Sequence, residues 1–548
     1  MPRASHLLRG LVLCVFLVSA FGSVDAAPTA QQPTPRRGGV LRSAELGGAP
    51  RLLHPYPEAQ QYTSPWVDAA TLMWAGLIDL DYDTLDYLVD PRTSMATQMP
   101  TISNDGRTFT FTLRDDIVWS DRRPITSADF QFAWDNASKE ENNWVGYDST
   151  VDRIESFRTP DPLTVEVTLK EQLARFLAIG IAAGIGPVPR HVWEGRPWLD
   201  PQGNPEVLKP SVVSGPYLPR EISAAGHSYT RNPNWWGAPP YLDEIVFIAA
   251  SPTTTLELLR TRQVDWAHNF PPAQFEDAKR IPHANVFDWS SASGSYRVMD
   301  FNLARPLLAD KRVREALSRA VDRADLVQLE EDLAVPQFGI YPQASRWGPA
   351  NVEPYNLDLA RARRLLDDAG YSLQGGVRRD RAGQPVRVEI IWPTTSQPRG
   401  KIATYLQQQW RELGIDTQVT GLEFNSFVDR QQRQKDFDVV MATWGGSLDP
   451  DSAYSIFKTG GTQNSTGYSN PRVDELFDRG ATEQDDVRRK QIYDEIQLIL
   501  LDDLPMYPMI TMKSFTAIDR RIGGVFPRKG DDILRDNNAQ FMNWFIAE

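Results

Sequence analysis

The amino-acid sequence predicts an α/β protein made of two or three lobes, and two observations support that prediction. The chain has 548 residues, which is too long for a single hydrophobic core. Between residues 386 and 443, strand patterns alternate with helix patterns across short loops. This alternation is typical of an open, mainly parallel sheet with helices on both faces. A hydrophobic content of 41% and a charged content of 24% are ordinary for a globular protein.

The N-terminal segment differs in composition from the rest of the chain. Two arginines precede an apolar run over residues 11–24, which is too short to cross a bilayer comfortably. Small residues suit cleavage after Ala26, so we expect a signal peptide over residues 1–26. A flexible leader follows over residues 27–39. Cys14 lies inside the apolar run, so the mature chain would have no thiol for disulfides, catalysis or metal binding.

Strand and helix signals can be placed along the whole chain. A hydroxyl at Thr126 and an acid at Asp129 form a helix-start pattern. Gly370 and Gly414 follow helix patterns at the positions where glycine ends helices. The predicted strands span residues 40–44, 109–113, 163–169, 244–248, 264–267, 296–302, 386–392, 416–422 and 438–443. One helix pattern covers residues 69–80, and Gly76 is expected to end that helix. The other predicted helices span 253–261, 357–369, 401–413 and 425–434, with more beginning at residues 126, 310, 469 and 485.

Composition and motifs exclude several classes of function. The net charge is −13, and it would become −14 without residues 1–26, which contain two arginines and one aspartate. A chain this acidic and without a basic run predicts no nucleic-acid partner. The six histidines are scattered, and neither a phosphate-binding loop nor a Gly-x-Ser-x-Gly turn is present. We therefore predict no metal, no cofactor and no catalytic residue, and interpret the chain as a non-enzyme.

One stretch, residues 437–479, is the candidate ligand-binding segment. A strand ends at Thr443 and is followed by Trp444, Gly445, Gly446 and Ser447. Ligands of open α/β sheets bind at the carboxyl ends of strands. A glycine lets a ligand approach the backbone, and a tryptophan offers a rigid face. The alternative is a tight turn with a core tryptophan. The chain also has 16 Trp and 17 Tyr, which could stack on sugars or on peptide side chains as well as fill the core.

Several segments together resemble one known family over nearly the whole mature chain. The chain is similar to the bacterial extracellular solute-binding proteins of family 5, which bind dipeptides, oligopeptides, nickel or oligosaccharides for ABC importers. The matching segments are TFTFTLRDDIVWSDRRPITSADFQFAW (108–134), SGPYL (214–218), RNPNWWG (231–237), YLDEIVF (241–247), FNLARPLLADKRVREALSRAVDR (301–323) and GYSNPRVDELF (467–477).

The resemblance implies a more specific fold than the pattern alone. It implies an α/β clam-shell of the two-domain periplasmic-binding-protein type II, with an extra lobe inserted in the first domain. The chain would cross between the domains near residues 288–296 and 504–515. The implied domains are residues 40–290 plus 510–548 for domain I, with the lobe at about 60–188, and residues 291–509 for domain II.

The resemblance also implies which residues bind the solute. In the peptide binders, an aspartate three residues after the tryptophan of the turn pairs with the ligand's amino group. The matching residue here is Ser447, while Asp449 is expected to cap the next helix. Glu45 could replace the missing acid. Tyr296 and Asn302, the ends of one predicted strand, complete the candidate set.

The function that the resemblance implies is that of an extracytoplasmic receptor for an ABC importer. The expected partners are a small solute, with peptide ahead of oligosaccharide, and the membrane permease and ATPase subunits. The expected location is the periplasm or the outer face of the membrane, and the expected state is a monomer. Two alternatives remain open: a secreted hydrolase on a similar scaffold, and a chemosensory or chaperone-like binder without an importer.

Overall fold

The computed structural model describes residues 35–547, with gaps at 47, 82–85, 269, 271–273, 289–294, 331–332, 344, 351, 353–354, 446–448, 514 and 526–540. The predicted signal peptide and residues 27–34 of the predicted leader lie outside the described residues. So do Gly446 and Ser447 of the candidate ligand-binding turn.

The strands, numbered in chain order, are short, and many are largely buried. They are β1 Val40–Glu45, β2 Asp79–Asp81, β3 Asp86–Leu88, β4 Thr101–Ile102, β5 Thr108–Thr112, β6 Ile154–Arg158, β7 Thr164–Leu169, β8 Tyr217–Ser223, β9 Gly226–Arg231, β10 Glu244–Ala249, β11 Trp266–His268, β12 Ala284–Asp288, β13 Tyr296–Phe301, β14 Ala334–Pro336, β15 Ser372–Gln374, β16 Val377–Arg379, β17 Arg387–Pro393, β18 Asp416–Leu422, β19 Val439–Trp444, β20 Met506–Met512, β21 Phe515–Asp519, β22 Ile522–Gly523 and β23 Phe545–Ile546.

The helices lie between these strands and cover the sheets. They are α1 Ser64–Met73, α2 Ser127–Ala137, α3 Tyr147–Thr150, α4 Arg175–Ala183, α5 Arg190–Trp193, α6 Thr255–Arg260, α7 Phe275–Lys279, α8 Pro306–Ala309, α9 Lys311–Ser318, α10 Arg323–Leu329, α11 Leu359–Asp368, α12 Gln397–Arg411, α13 Phe424–Val428, α14 Tyr454–Phe457, α15 Pro471–Thr482 and α16 Asp486–Asp503. Within the described residues, none of these helices is long and apolar enough to cross a membrane.

Two large sheets and one smaller sheet organise the chain. The first sheet has seven strands in the order β12-β21-β11-β1-β10-β9-β8, and β1 runs parallel to both β10 and β11. The second sheet has six strands in the order β14-β20-β13-β19-β17-β18. A four-stranded antiparallel sheet, β4-β5-β7-β6, lies in the chain segment between β1 and β8.

The strand and helix alternation predicted between residues 386 and 443 is present, but the sheet is less parallel than expected. Strand β17 runs parallel to β18 and β19, as that pattern predicts. The other pairs of the second sheet, β13 with β19, β13 with β20 and β14 with β20, are antiparallel. Strand β13 enters from the first sheet and β20 leaves toward it, so neither is followed or preceded by a strand of its own sheet at that end, and the local alternation could not predict their direction.

Several helix boundaries follow the capping chemistry in the sequence. The Thr126 backbone N–H donates to the Asp129 carboxylate at 3.0 Å at the start of α2. Asp310 accepts from the Arg312 N–H at 2.9 Å at the start of α9. Gly370, after α11, has φ +93°, a left-handed conformation that glycine adopts at low cost. The first predicted helix is shifted, since α1 ends at Met73, before Gly76.

Strand β13 forms the centre of the second sheet. It pairs with β19 on one side and with β20 on the other, and all six of its residues are buried. Side chains on one face, such as Met299 and Phe301, join a cluster with β17 and α12. Those on the other face, such as Tyr296 and Val298, join a cluster with α15 and α16. Because β13 is buried on both faces and paired along both edges, every polar group that it carries needs a hydrogen-bond partner within the protein.

The chain passes between the two large sheets twice. The first passage runs from Asp288, the end of β12, to Tyr296, the start of β13. The second runs from Met512, the end of β20, to Phe515, the start of β21. All of β20 thus belongs to the second sheet. The division into two domains and the bounds of the extra lobe stay predictions.

A buried ion pair joins the region of the four-stranded sheet to the region of the second sheet. Arg153, just before β6, contacts Asp451 at 2.9 Å, and their side chains are only 6% and 2% exposed. Tyr493 on α16 donates a further bond to Asp451 at 3.0 Å. Burial raises the pKa of Asp451 to about 6, against the opposing effect of the Arg153 charge.

We predict that Arg153→Met lowers the free energy of unfolding at pH 8 by about 3 to 5 kcal/mol, because it leaves the buried Asp451 carboxylate without its cation. The loss is expected to be smaller at pH 5, where that carboxyl becomes protonated. Urea denaturation at both pH values measures it. Arg158→Met, which breaks the more exposed pair with Glu166, is the control and should cost less than about 1 kcal/mol. Equal losses in the two variants would contradict the prediction.

Candidate functional site: a charged cavity between the two large sheets

A cavity of about 320 Å³ lies between the first sheet and the second sheet. On the first sheet's side it is lined by Glu45, the last residue of β1, and by Pro252 and Phe270, which follow β10 and β11. On the second sheet's side it is lined by Thr443 of β19 and by Thr395, which follows β17. These residues lie at the carboxyl ends of parallel strands, where open α/β sheets bind ligands. This charged cavity is the candidate binding site.

The charged cavity takes its name from the side chains that line it. Among the described residues, three cationic and two anionic side chains contribute: Arg297, Arg399, Lys513, Glu45 and Glu330. Charged groups are rarely taken from water without compensation, because an isolated buried charge is costly. The excess of one positive charge suits a solute that brings a negative group, and the two carboxylates suit one that also brings a positive group.

Arg297 and Glu330 form a buried ion pair at the edge of the charged cavity. Arg297 lies on β13, and its Nε donates to the Glu330 Oε1. Arg297 also approaches the Thr443 hydroxyl at 3.5 Å across the β13–β19 pair. The second carboxylate oxygen of Glu330 is buried and accepts no hydrogen bond from the described residues. A carboxylate with one unfilled acceptor is equipped to take a donor from a ligand.

Arg399 in the first turn of α12 is a cavity charge with little compensation. Its Nη1 donates to the Met441 carbonyl at 3.3 Å, and its guanidinium lies 5.7 Å from the Phe427 ring centroid. Its Nε is buried and has no acceptor among the described residues. Burial and the neighbouring Arg297 charge lower the pKa of Arg399 to about 9, with Glu330 acting in the opposite direction. An anionic group in the cavity would relieve this penalty.

Of the predicted ligand-binding residues that the structure describes, Glu45 lines the charged cavity. It is buried at the end of β1, opposite the second sheet. Asn302 lies at the far end of β13, where its side-chain amide donates to the Lys435 and Phe437 carbonyls at 3.0 and 2.9 Å. The side-chain N–H donors of Asn302 are therefore engaged, and they stabilise the segment that leads into β19.

Trp444 and Tyr296 lie next to the cavity but on the opposite face of the sheet from Arg297. They are directly opposed residues of β19 and β13. Tyr296 is buried, and Trp444 is half-buried against the same cluster of core residues. Gly445 is exposed, while Gly446 and Ser447 lie outside the described residues. The structure therefore groups Glu45 with Arg297, Glu330 and Arg399, and groups Trp444 with Tyr296.

The Trp444 ring is held by a buried acid. Its Nε1 donates to Asp300 Oδ2 at 3.3 Å, and Gln431 donates to the same oxygen at 3.4 Å. Asp300 is buried on β13, and its Oδ1 has no partner among the described residues. Burial raises the pKa of Asp300 to about 7, although the two hydrogen bonds act in the opposite direction.

Sequence reasoning missed Arg297, Glu330 and Arg399. Arg297 could have been flagged, because it interrupts a strand that is otherwise suited to the core. The same signal would have found Asp300. Glu330, in an acidic pair after α10, and Arg399, beside a proline and a glycine, carry no comparable signal. The expectation for Asp449 is confirmed, since it caps the following helical turn by accepting from the Asp451 N–H at 2.9 Å.

A ligand cavity between two linked α/β sheets defines a class of two-lobed binding proteins, and comparisons identify the family. The sequence profile described as "Bacterial extracellular solute-binding proteins, family 5 Middle" matches residues 90–465. The chain belongs to the bacterial extracellular solute-binding proteins of family 5, as the sequence motifs predict. Members of this family are substrate-binding receptors rather than enzymes.

Individual relatives agree with this assignment. Protein XP55 of Streptomyces lividans is 29% identical over 457 residues, which are 81% of this chain and 79% of the relative. The oligopeptide-binding protein AppA of Bacillus subtilis, solved with a nonapeptide, superposes with a TM-score of 0.84 at 18% identity, covering 94% of this chain and 100% of AppA. NikZ of Campylobacter jejuni, solved with Ni(L-His), gives a TM-score of 0.78 at 20% identity, covering 93% and 100%. These structures confirm the clam-shell fold.

We predict that Asp300→Asn removes a pH dependence from the protein's stability. The raised pKa means that folded Asp300 holds a proton which the unfolded side chain loses near pH 4. The contribution of Asp300 to native stability therefore falls as the pH rises from about 4 to about 7. Relative to the native protein, the variant should gain up to about 4 kcal/mol between pH 4 and pH 8. Urea denaturation across this range measures the gain, and Asp416→Asn, at an exposed position, is the control. Parallel pH curves for native protein and Asp300→Asn would contradict the assignment.

Proposed function

We propose that this chain is the extracytoplasmic receptor of an ABC importer, and that its solute is a peptide bound in the charged cavity. The receptor would deliver the peptide to the membrane permease and its ATPase. The observation that carries the choice of peptide is the combination of charges in the cavity. Arg399 has a buried Nε without an acceptor and no ion pair among the described residues, while the carboxylates of Glu45 and Glu330 lie in the same cavity.

A peptide matches this arrangement because it is a zwitterion. Its terminal carboxylate would bind the Arg399 guanidinium, and its terminal ammonium would bind a cavity carboxylate. Charge-assisted hydrogen bonds of this kind are about twice as strong as neutral ones. A neutral oligosaccharide would displace water from the same groups without supplying compensating charge, so the charged cavity favours peptide over oligosaccharide.

The relatives support a solute-binding receptor but not one particular solute. AppA was solved with a nonapeptide and NikZ with a nickel–histidine complex, so the shared fold does not choose the ligand. The class of solute therefore depends on the side chains that line the charged cavity. The hydrolase alternative is not favoured, because the family consists of receptors. Domain closure around the peptide would present the importer with a loaded receptor.

The first experiment identifies the solute directly. The protein is purified under mild conditions, and any retained ligand is identified by mass spectrometry. The stripped protein is then tested by thermal shift with penta-alanine and with maltotriose. A ligand at 100 times its Kd stabilises the protein by about 2.7 kcal/mol. We expect penta-alanine to raise the melting temperature and maltotriose to leave it unchanged. Stabilisation by maltotriose alone, or hydrolysis of the peptide, would overturn the proposal.

The role of Arg399 is tested with one substitution and one chemical change to the peptide. We predict that the native protein binds penta-alanine about 10 to 100 times more tightly than its C-terminal amide, since a hydrogen bond to a charged group contributes about 1.5 to 3 kcal/mol. In Arg399→Gln this ratio should fall to near one. Calorimetry measures both constants, and Arg411→Gln, at the exposed end of the same helix, should keep the native ratio. An unchanged ratio in Arg399→Gln would remove Arg399 from the site.

A further inference from the structure

A second cavity, of about 500 Å³, lies beside the charged cavity and has a different chemistry. Its walls are largely aromatic, formed by Tyr56, Tyr62, Trp66, Trp74 and Trp144. These residues come from the N-terminal part of the chain. The remaining wall comes from the region of the second sheet, through residues 452, 455 and 463. We refer to this space as the aromatic cavity.

The rings of the aromatic cavity are oriented by the protein itself. Tyr56 packs edge-on against Trp144, with ring centroids 5.1 Å apart, and its hydroxyl donates to the Gly186 carbonyl at 2.5 Å. Trp66 lies 5.3 Å from the ring of Tyr62, and its Nε1 donates to the His54 carbonyl at 3.0 Å. The polar ends of Tyr56 and Trp66 are therefore hydrogen-bonded to the backbone. These two side chains present only the apolar surfaces of their rings to a ligand.

No charged side chain lines the aromatic cavity among the described residues. Apart from the Tyr and Trp side chains, its polar side chains are three serines and Gln463, and the Ser455 hydroxyl already donates to the Gln463 side chain at 2.8 Å. A sugar ring would leave several of its hydroxyl groups here without partners, and each buried hydroxyl that makes no hydrogen bond weakens binding. An apolar ring carries no such cost, so the lining favours an aromatic hydrocarbon surface.

The two cavities share a wall formed by consecutive residues of one segment. Ser64 and Pro65 line the charged cavity, while Tyr62 and Trp66 line the aromatic cavity. The first turn of α1 and the residues just before it therefore contribute to the walls of both spaces. A short extended peptide, which advances about 3.3 Å per residue, can place its charged main chain in one cavity and a side chain in the other.

We infer that the aromatic cavity is a specificity site that binds an aromatic side chain of the peptide whose main chain lies in the charged cavity. The inference rests on the proposed function, because it assumes a peptide solute. The ring would stack against Tyr62 and Trp66 and be covered by Ser452 from the other side. The receptor would then prefer peptides with an aromatic residue at one fixed position, counted from a charged terminus.

The probes are penta-alanine and five variants of it, each with one phenylalanine, measured by calorimetry. All six peptides have the same length and charge. We expect one phenylalanine position to tighten binding by about 10- to 100-fold, as burial of one aromatic side chain contributes about 1.5 to 3 kcal/mol. The other positions should change the Kd by less than about threefold.

Two substitutions test where the ring binds without disturbing the core. Ser452 is exposed at the rim, so Ser452→Trp fills the aromatic cavity from outside. Tyr62 is 50% exposed, so Tyr62→Ala removes one wall. Both should reduce the phenylalanine preference to less than about threefold while the Kd of penta-alanine stays within about threefold of the native value. Ser372→Trp, at an exposed serine of the β15–β16 hairpin, is the matched control and should keep the native preference.

The results separate this inference from the proposed function. If penta-alanine binds but phenylalanine improves binding at no position, the aromatic specificity site is refuted and the peptide receptor stands. The same conclusion follows if the preference survives in Ser452→Trp and Tyr62→Ala. If none of the six peptides binds, both proposals fail. If maltotriose binds to the native protein and is blocked by Ser452→Trp, the cavity takes a sugar ring and the inference is wrong.

Discussion

The two passages of the chain between the large sheets are the constraint on which the binding site depends. They connect β12 to β13 and β20 to β21, so two adjacent strands of the second sheet are tied directly to two adjacent strands at one side of the first. The parallel strands of each sheet then present their carboxyl ends to a shared space. Neither sheet could form the charged cavity alone, because Glu45 belongs to the first sheet, whereas Arg297 belongs to the second sheet and Arg399 to α12, which packs against it. Two short connections are also the arrangement that permits hinge motion between packed lobes.

Buried charge is the feature that distinguishes this cavity from ordinary core packing. A core position selects apolar side chains, and a charge there persists only where it is compensated or serves a ligand. Arg297 is compensated by Glu330, whereas Arg399 relies on one backbone carbonyl and an aromatic ring. Charges of this kind raise the energy of the empty receptor. A solute of matching charge recovers part of that energy, which couples ligand recognition to the stability of the folded protein.

Much of the fold could be predicted from the sequence because it depends on local chemistry. Apolar runs such as Val439–Thr443, the Thr126 and Asp129 pair, and the helix-ending Gly370 act within a few residues of themselves. The antiparallel partners of β13 could not be predicted in this way, because strand direction depends on how the chain passes between the sheets. The same limit applies to the site, because Glu330 and Arg399 line one cavity only when distant segments of the chain come together in the fold. Arg297 was the exception, since a charge inside a core-like strand is visible in the sequence.

The position of Ser447 bears on how the receptor recognises an amine. In the peptide-binding relatives, the resemblance places an acid at this position, and a serine cannot neutralise a buried ammonium. The charged cavity contains carboxylates from elsewhere in the fold, Glu45 at the end of β1 and Glu330 after α10. If an amine binds here, its counter-charge comes from β1 or α10 rather than from the turn after β19. An acid supplied by a different element would hold the peptide terminus at a different place. The side chains that follow would then be displaced relative to the aromatic cavity, so the loss of one acid would alter which position of the peptide is selected.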